Sequence, residues 1–246
     1  MTGDFLKKAA SPLPEGSEIG IYSRCSGGVW GRAPFSIKHE VLRYLGHKNQ
    51  PVPPSLDKMI DECLDMMQQA VTPRQVHLIV PLLHGVTDIV LEGTGITLSG
   101  STAVNYLQDC KEAAIMAATL GVAADTLIQK WQNIDLTRAL ILDACATACI
   151  ESFCDETQQT ICREKGRISP GYGDFPLETQ TRILQVLNCE RRIGLTCTAH
   201  HVMLPRKSVT AIIGINSQNS VKINKCDGCN MKQTCTFSCA KITEEL

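Results

Sequence analysis

Apolar residues between Leu56 and Met67 fall at Leu56, Met59, Ile60, Cys63, Leu64 and Met67, one face of a 3.6-residue period, and predict an amphipathic helix. A shorter helical pattern, IKHEVLRYLGHK, precedes it and is closed by Gly46. The pattern then changes period. QVHLIVPLL, TDIVLEG and GITLSG read as short strands separated by glycine-containing turns. Helical patterns return in AVNYLQDCKEAAIMAATLG, ending at Gly121, and in ADTLIQKWQNI. From Asp135 a long helical run is expected to continue to Gly166, with small residues from Ala144 to Cys149 that permit close approach of a neighbour. LETQTRILQVLNC predicts one more helix, and LTCTAHHVMLP and SVTAIIGIN predict β structure. Helices and hairpins without regular βαβ alternation predict an α+β domain, with a mixed or antiparallel sheet packed by helices. We expect that domain over residues 36–220, after a loosely ordered extension (1–35) and before a cysteine-rich tail (221–246).

Composition narrows the function. The chain has 246 residues, enough to bury a proper core, and a formal net charge of −1, which offers no electrostatic footprint for nucleic acid or an anionic membrane. Aromatic residues are 4% of the chain, too few for a base-stacking platform. No stretch approaches the roughly 18 apolar residues of a membrane span. Thirteen cysteines stand in a chain whose first residues show no secretory pattern, so they are expected reduced, in a cytoplasmic protein. Cys226, Cys229, Cys235 and Cys239, spaced C-x2-C-x5-C-x3-C, could close a zinc site or hold an iron–sulfur cluster. Cys145, Cys149 and Cys154 read instead as core thiols. His200 and His201, adjacent on an expected strand, would point to opposite faces.

The chemistry concentrates in RISPGYGDFPLETQ, from Arg167 to Gln180. Pro170 restricts Ser169 to an extended conformation, Gly171 permits one that other residues avoid, and Pro176 suits the start of the following helix. Arg167 adds a planar donor fork suited to a carboxylate, so the segment fits a zwitterionic ligand.

Arg167, Pro170, Gly171 and Tyr172 form an Arg-x-x-Pro-Gly-Tyr loop, followed by Pro176 and a helix, and Pro205, Ser208 and Val209 form a second motif downstream. In these two motifs and their separation the chain resembles the activation (reactivation) domain of cobalamin-dependent methionine synthase, in particular its short, free-standing relatives. The resemblance covers roughly residues 36–215. It implies binding of S-adenosylmethionine and reductive methylation of inactive cob(II)alamin to methylcobalamin. The cobalamin would be carried by a partner, a methionine synthase lacking its own activation domain, and the electron would come from a flavodoxin- or ferredoxin-type donor. The chain would then be the activation component of a methyltransferase in methionine biosynthesis.

By the same resemblance, Arg167 would hold the methionine carboxylate, the backbone of Ser169 would contact the ligand, and Tyr172 would line the site over the corrin. Pro170, Gly171 and Ser208 complete the motif positions. The family carries carboxylates on the long helix and before the loop; here Thr147 stands at the helix position, Glu151 one turn later, Glu164 before Arg167, and Asp174 in the loop as a further acidic candidate. An iron–sulfur cluster in the tail would suit electron relay. The alternatives are a reactivator of another corrinoid methyltransferase, or a non-catalytic metal-binding interaction protein.

Overall fold

A computed structural model describes residues 18–23, 34–47, 50–163 and 165–216. Two helices open the main body: α1 (Pro34–Tyr44), whose chain turns out at Gly46 with φ +79°, and α2 (Pro54–Ala70). α2 carries a proline in its first turn, where the missing N–H costs nothing, and buries Ile60, Cys63, Leu64 and Met67, the face its periodicity marks.

The sheet follows. β2 (Arg74–His84), β3 (Asp88–Leu91), β4 (Ile96–Ser99), β5 (Glu112–Thr119) and β8 (Ser208–Ile215) lie in the order β4-β3-β2-β5-β8, each pair antiparallel. A further strand, β1 (Glu18–Ser23), pairs with the first half of β2. This strand falls within the segment expected to be a loosely ordered extension; the free edge of β2 supplies the backbone partners that local sequence could not reveal.

β5 is the larger departure. EAAIMAAT was expected to belong to a helix, which here stops after α3 (Ser101–Leu107). Alanine favours helix locally, but a central strand covered on both faces reads as a continuous apolar run. Ala114, Met116 and Ala118 join the core on one face, and Ala113, Ile115 and Ala117 the core on the other. Their small side chains let the helical layers come close to the sheet.

On the first face lie α1, α2, α4 (Val122–Gln132) and α5 (Leu136–Ile161). Asp135 caps α5, its carboxylate accepting from the backbone N–H groups of Thr137 (2.9 Å) and Arg138 (3.2 Å). The small residues Ala144, Cys145, Ala146, Ala148 and Cys149 are buried, as their pattern predicts, although α5 stops at Ile161 rather than running to Gly166. The second face is covered by the β3–β4 hairpin, α3, α6 (Thr179–Val186) and α7 (Cys189–Ile193). Asn188 adopts a left-handed conformation (φ 49°) and divides α6 from α7, so the helix expected to run to Cys189 ends at Val186. β6 (Thr196–Cys197) and β7 (Met203–Leu204) make a small hairpin of their own. His200 and His201 sit in its turn, with His201 at φ 59°, so the expected strand geometry does not apply to them. The expected α+β class holds. No helix among the described residues is long and apolar enough to cross a membrane.

Candidate functional site

The loop from Arg167 to Phe175 runs along the outer edge of β8 and joins both helical layers. Ile168 exchanges two backbone hydrogen bonds with Ile212 of β8 (3.0 and 2.8 Å), which fixes the entry to the loop. Turns follow: Tyr172 N–H donates to the Ser169 carbonyl (3.2 Å), Phe175 N–H to Tyr172 (2.9 Å), and Gly171 N–H to Phe175 (2.8 Å). Gly171 takes φ +88°, a conformation that glycine adopts at little cost. Pro170 and Phe175 are buried, and Tyr172 stays exposed beside them. The rigidity predicted from prolines and glycines is thus realised as a turn network anchored by Phe175.

Asp174 secures the far end of the loop. Its carboxylate accepts from Ser101 N–H (2.6 Å), Ser101 Oγ (2.9 Å) and Thr102 N–H (2.8 Å), capping the start of α3. Bonds from Thr102, and then from Ser101, hold this carboxyl well below the usual carboxylate range. Asp174, the candidate for the ligand's amino group, thus already holds the start of α3 through three accepted bonds, while the residue stays exposed. Ser208 also has protein partners. Its hydroxyl lies in the buried start of β8, 2.8 Å from Thr119 Oγ1 and 2.7 Å from the Pro205 carbonyl.

Arg167 turns to the other layer. Its side chain is 7% exposed and meets α5, with Nη2 2.5 Å from Glu151 Oε2 and Nη1 2.5 Å from Asp155 Oδ1. Nη1 also donates to Gln158 Oε1 (3.2 Å). Burial works against the guanidinium charge, but Cys154, Glu151 and Asp155 more than offset it, so Arg167 stays firmly cationic. Tyr44, at the end of α1, is near the same group: burial, and next the Glu151 charge, push its phenol above the ordinary value.

A second cation stands further along the same helix. Lys207 Nζ lies 2.9 Å from Asp143 Oδ1 and donates to Thr147 Oγ1 (2.8 Å) and the Asp143 carbonyl (3.1 Å). Asp143, Thr147, Glu151 and Asp155 recur every four residues, a polar stripe on a helix otherwise largely buried. Lys207 is therefore tied to the stripe. The sequence reading singled out Thr147 and Glu151 but missed Asp143, Asp155 and Gln158. For Asp143 and Asp155, the four-residue spacing with Thr147 and Glu151 within an apolar run was the available signal.

Three carboxylates face two cations along this stripe. Such a surface can accept a ligand with net positive charge, while Arg167 supplies the one donor fork for a carboxylate. A cleft of about 370 Å³ elsewhere, lined by residues including Thr181, Gln185, Cys189 and Cys197, contains none of these groups. Cys226, Cys229, Cys235 and Cys239 lie outside the described residues, as does Glu164. No group of three or more potential metal-ligating side chains occurs among the described residues.

No protein-family model matches the sequence, and no curated protein matches it. Among solved structures, the MetH reactivation domain bound to AdoHcy superposes with a TM-score of 0.62. The match covers 93% of this chain and 88% of that one, at 14% sequence identity. The likeness is one of fold.

Proposed function

We propose that the chain binds S-adenosylmethionine along the α5 stripe and supports reductive methylation of cob(II)alamin held by a separate corrinoid protein, a methionine synthase lacking its own activation domain. The observation that carries this reading is the meeting of Arg167, on its turn-locked loop, with Glu151 and Asp155 on α5. The solved domain of the same fold holds AdoHcy, the demethylated form of the same ligand.

The residues present fit that ligand by exchange. Arg167 is already paired, so the ligand carboxylate must displace one partner. Glu151, 36% exposed against 13% for Asp155, is the less costly to release. Once released, Glu151 can accept from the ligand's ammonium group, and the pair of contacts reads a zwitterion. Asp155 and Gln158 keep the guanidinium oriented throughout. The bound group supplies the methyl and the corrinoid cobalt accepts it, so this chain needs no nucleophile or general base; its task is positioning. Tyr172, exposed on the loop, offers an aromatic edge toward the partner. The electron comes from a flavodoxin- or ferredoxin-type donor, and the four tail cysteines bind zinc or an iron–sulfur cluster, which metal analysis of anaerobically purified protein would test.

Calorimetric titration of S-adenosylmethionine into the full chain tests the site. Wild type binds. Arg167→Ala weakens binding by about 30- to 1,000-fold, and Glu151→Gln, which keeps the shape of the side chain, by about tenfold or more. Absence of wild-type binding, both alone and with a cob(II)alamin-loaded partner, would end this reading.

A further inference from the structure

Behind the loop, Lys165 and Cys110 form a pair that the site does not use. Lys165 is 4% exposed and Cys110 2%, and Lys165 Nζ lies 3.2 Å from Cys110 Sγ. The same Nζ donates to the Tyr106 carbonyl (3.0 Å) and sits 5.3 Å from the centre of the Tyr106 ring. No carboxylate among the described residues lies within ion-pair distance of it. A buried lysine normally finds a carboxylate. This one is directed at a thiol.

The surrounding backbone holds the two groups together. A Cβ placed on Gly214 would come within 2.5 Å of Cys110 Sγ and 3.3 Å of Lys165 Cδ, so β8 closes directly over the pair. The Tyr106 hydroxyl donates to the Gly166 carbonyl and accepts from Gly214 N–H (3.2 Å), fixing the residue next to Lys165. Neither side chain can swing away without moving the strand or the tyrosine, so the local concentration of amine at sulfur is very high.

The geometry points to Cys110 and Lys165 as a covalent modification site, at which peroxide oxidation of the thiol is followed by sulfur–nitrogen bond formation. In the first step Sγ attacks hydrogen peroxide: an S–O bond forms, the O–O bond breaks, and the departing hydroxide takes the thiol proton as water. Sulfur is oxidised by two electrons to the sulfenic acid and peroxide is reduced. In the second, Lys165 Nζ, after losing its ammonium proton to solvent, attacks that sulfur. The N–S bond forms, the S–O bond breaks, and hydroxide leaves with a proton from nitrogen as a second water. The product is a sulfenamide joining the two side chains, reversible by an added thiol.

The position gives the bridge a consequence. Gln158 donates to the Lys165 carbonyl (3.0 Å) through Nε2 and accepts from Arg167 through Oε1 (3.2 Å). A bond at Lys165 therefore pins the segment that enters the Arg167 loop to the turn between α3 and β5.

Peptide mapping of the full chain after hydrogen peroxide treatment tests this. Lys165 in the bridge resists trypsin, so residues 75–111 appear joined to residues 164–167, two hydrogens lighter than the separate peptides combined. Dithiothreitol releases them. The same treatment in denaturant gives no such species, because the contact exists only in the fold, and Lys165→Arg, which keeps the charge without the amine, abolishes it. Recovery of Cys110 as the sulfinic acid, as a disulfide with Cys162, or unmodified with Lys165 still cleaved, would overturn the proposal, and each is read on wild type without any variant.

Discussion

Replacing Arg167 by alanine gives the sharpest physical test of the loop–helix junction. The side chain is the cation between Glu151 and Asp155 and also bonds Gln158, so its removal leaves two like charges one helical turn apart. Breaking a buried ion pair by deleting one partner costs about 3–5 kcal/mol. Asp155 is 13% exposed and carries most of that cost, whereas Glu151 at 36% is partly screened by water. The expected loss is thus near the lower bound, about 3 kcal/mol. For a chain of this size that lowers Tm by roughly 6–12 °C. Urea unfolding measures it as a reduced midpoint at unchanged slope. Adding Asp155→Asn removes the stranded charge and recovers about 1–2 kcal/mol, the coupling expected of groups in contact. A loss below about 1 kcal/mol, the range of exposed pairs, would show that the guanidinium is not held in this buried cluster.

Three further outcomes follow from the loop and its anchor. Phe175→Ala, which empties a site only 1% exposed, destabilises by about 3–5 kcal/mol in the same urea assay. Gly100→Ala forces a Cβ within 2.7 Å of the Asp174 carbonyl oxygen at φ +97°, and costs about 1–3 kcal/mol by thermal unfolding. The folded-state pKa of Asp174 is depressed, so its contribution is fully present above its unfolded value, about pH 4, and is lost as pH falls through the folded value. Wild type therefore loses stability more steeply than Asp174→Asn when unfolding is followed below pH 4.

The sequence alone determined the parts whose cause is local. The face of α2, the start of α5 at Asp135, the strands β2, β3, β4 and β8, and the turn-rich loop at Ser169 to Phe175 are all readable, because periodicity, capping and proline or glycine conformations act within a few residues. The α+β class followed from their order. Tertiary structure decided the rest. β5 is alanine-rich and locally helical, and becomes a central strand only because β2 and β8 satisfy its backbone while helices bury both of its faces. β1 exists because β2 has a free edge to pair with.

The site divides the same way. The loop motif marks Arg167 in the sequence, but not whom it meets. Asp155 and Gln158 are 12 and 9 residues away, and Lys207 is 60 residues from Thr147. Asp174 and Ser208 are candidate ligand groups by position, but chain order does not show that they bond the start of α3 and Thr119. A short polar side chain takes the nearest unsatisfied donor, and packing, not chain order, decides which donor that is.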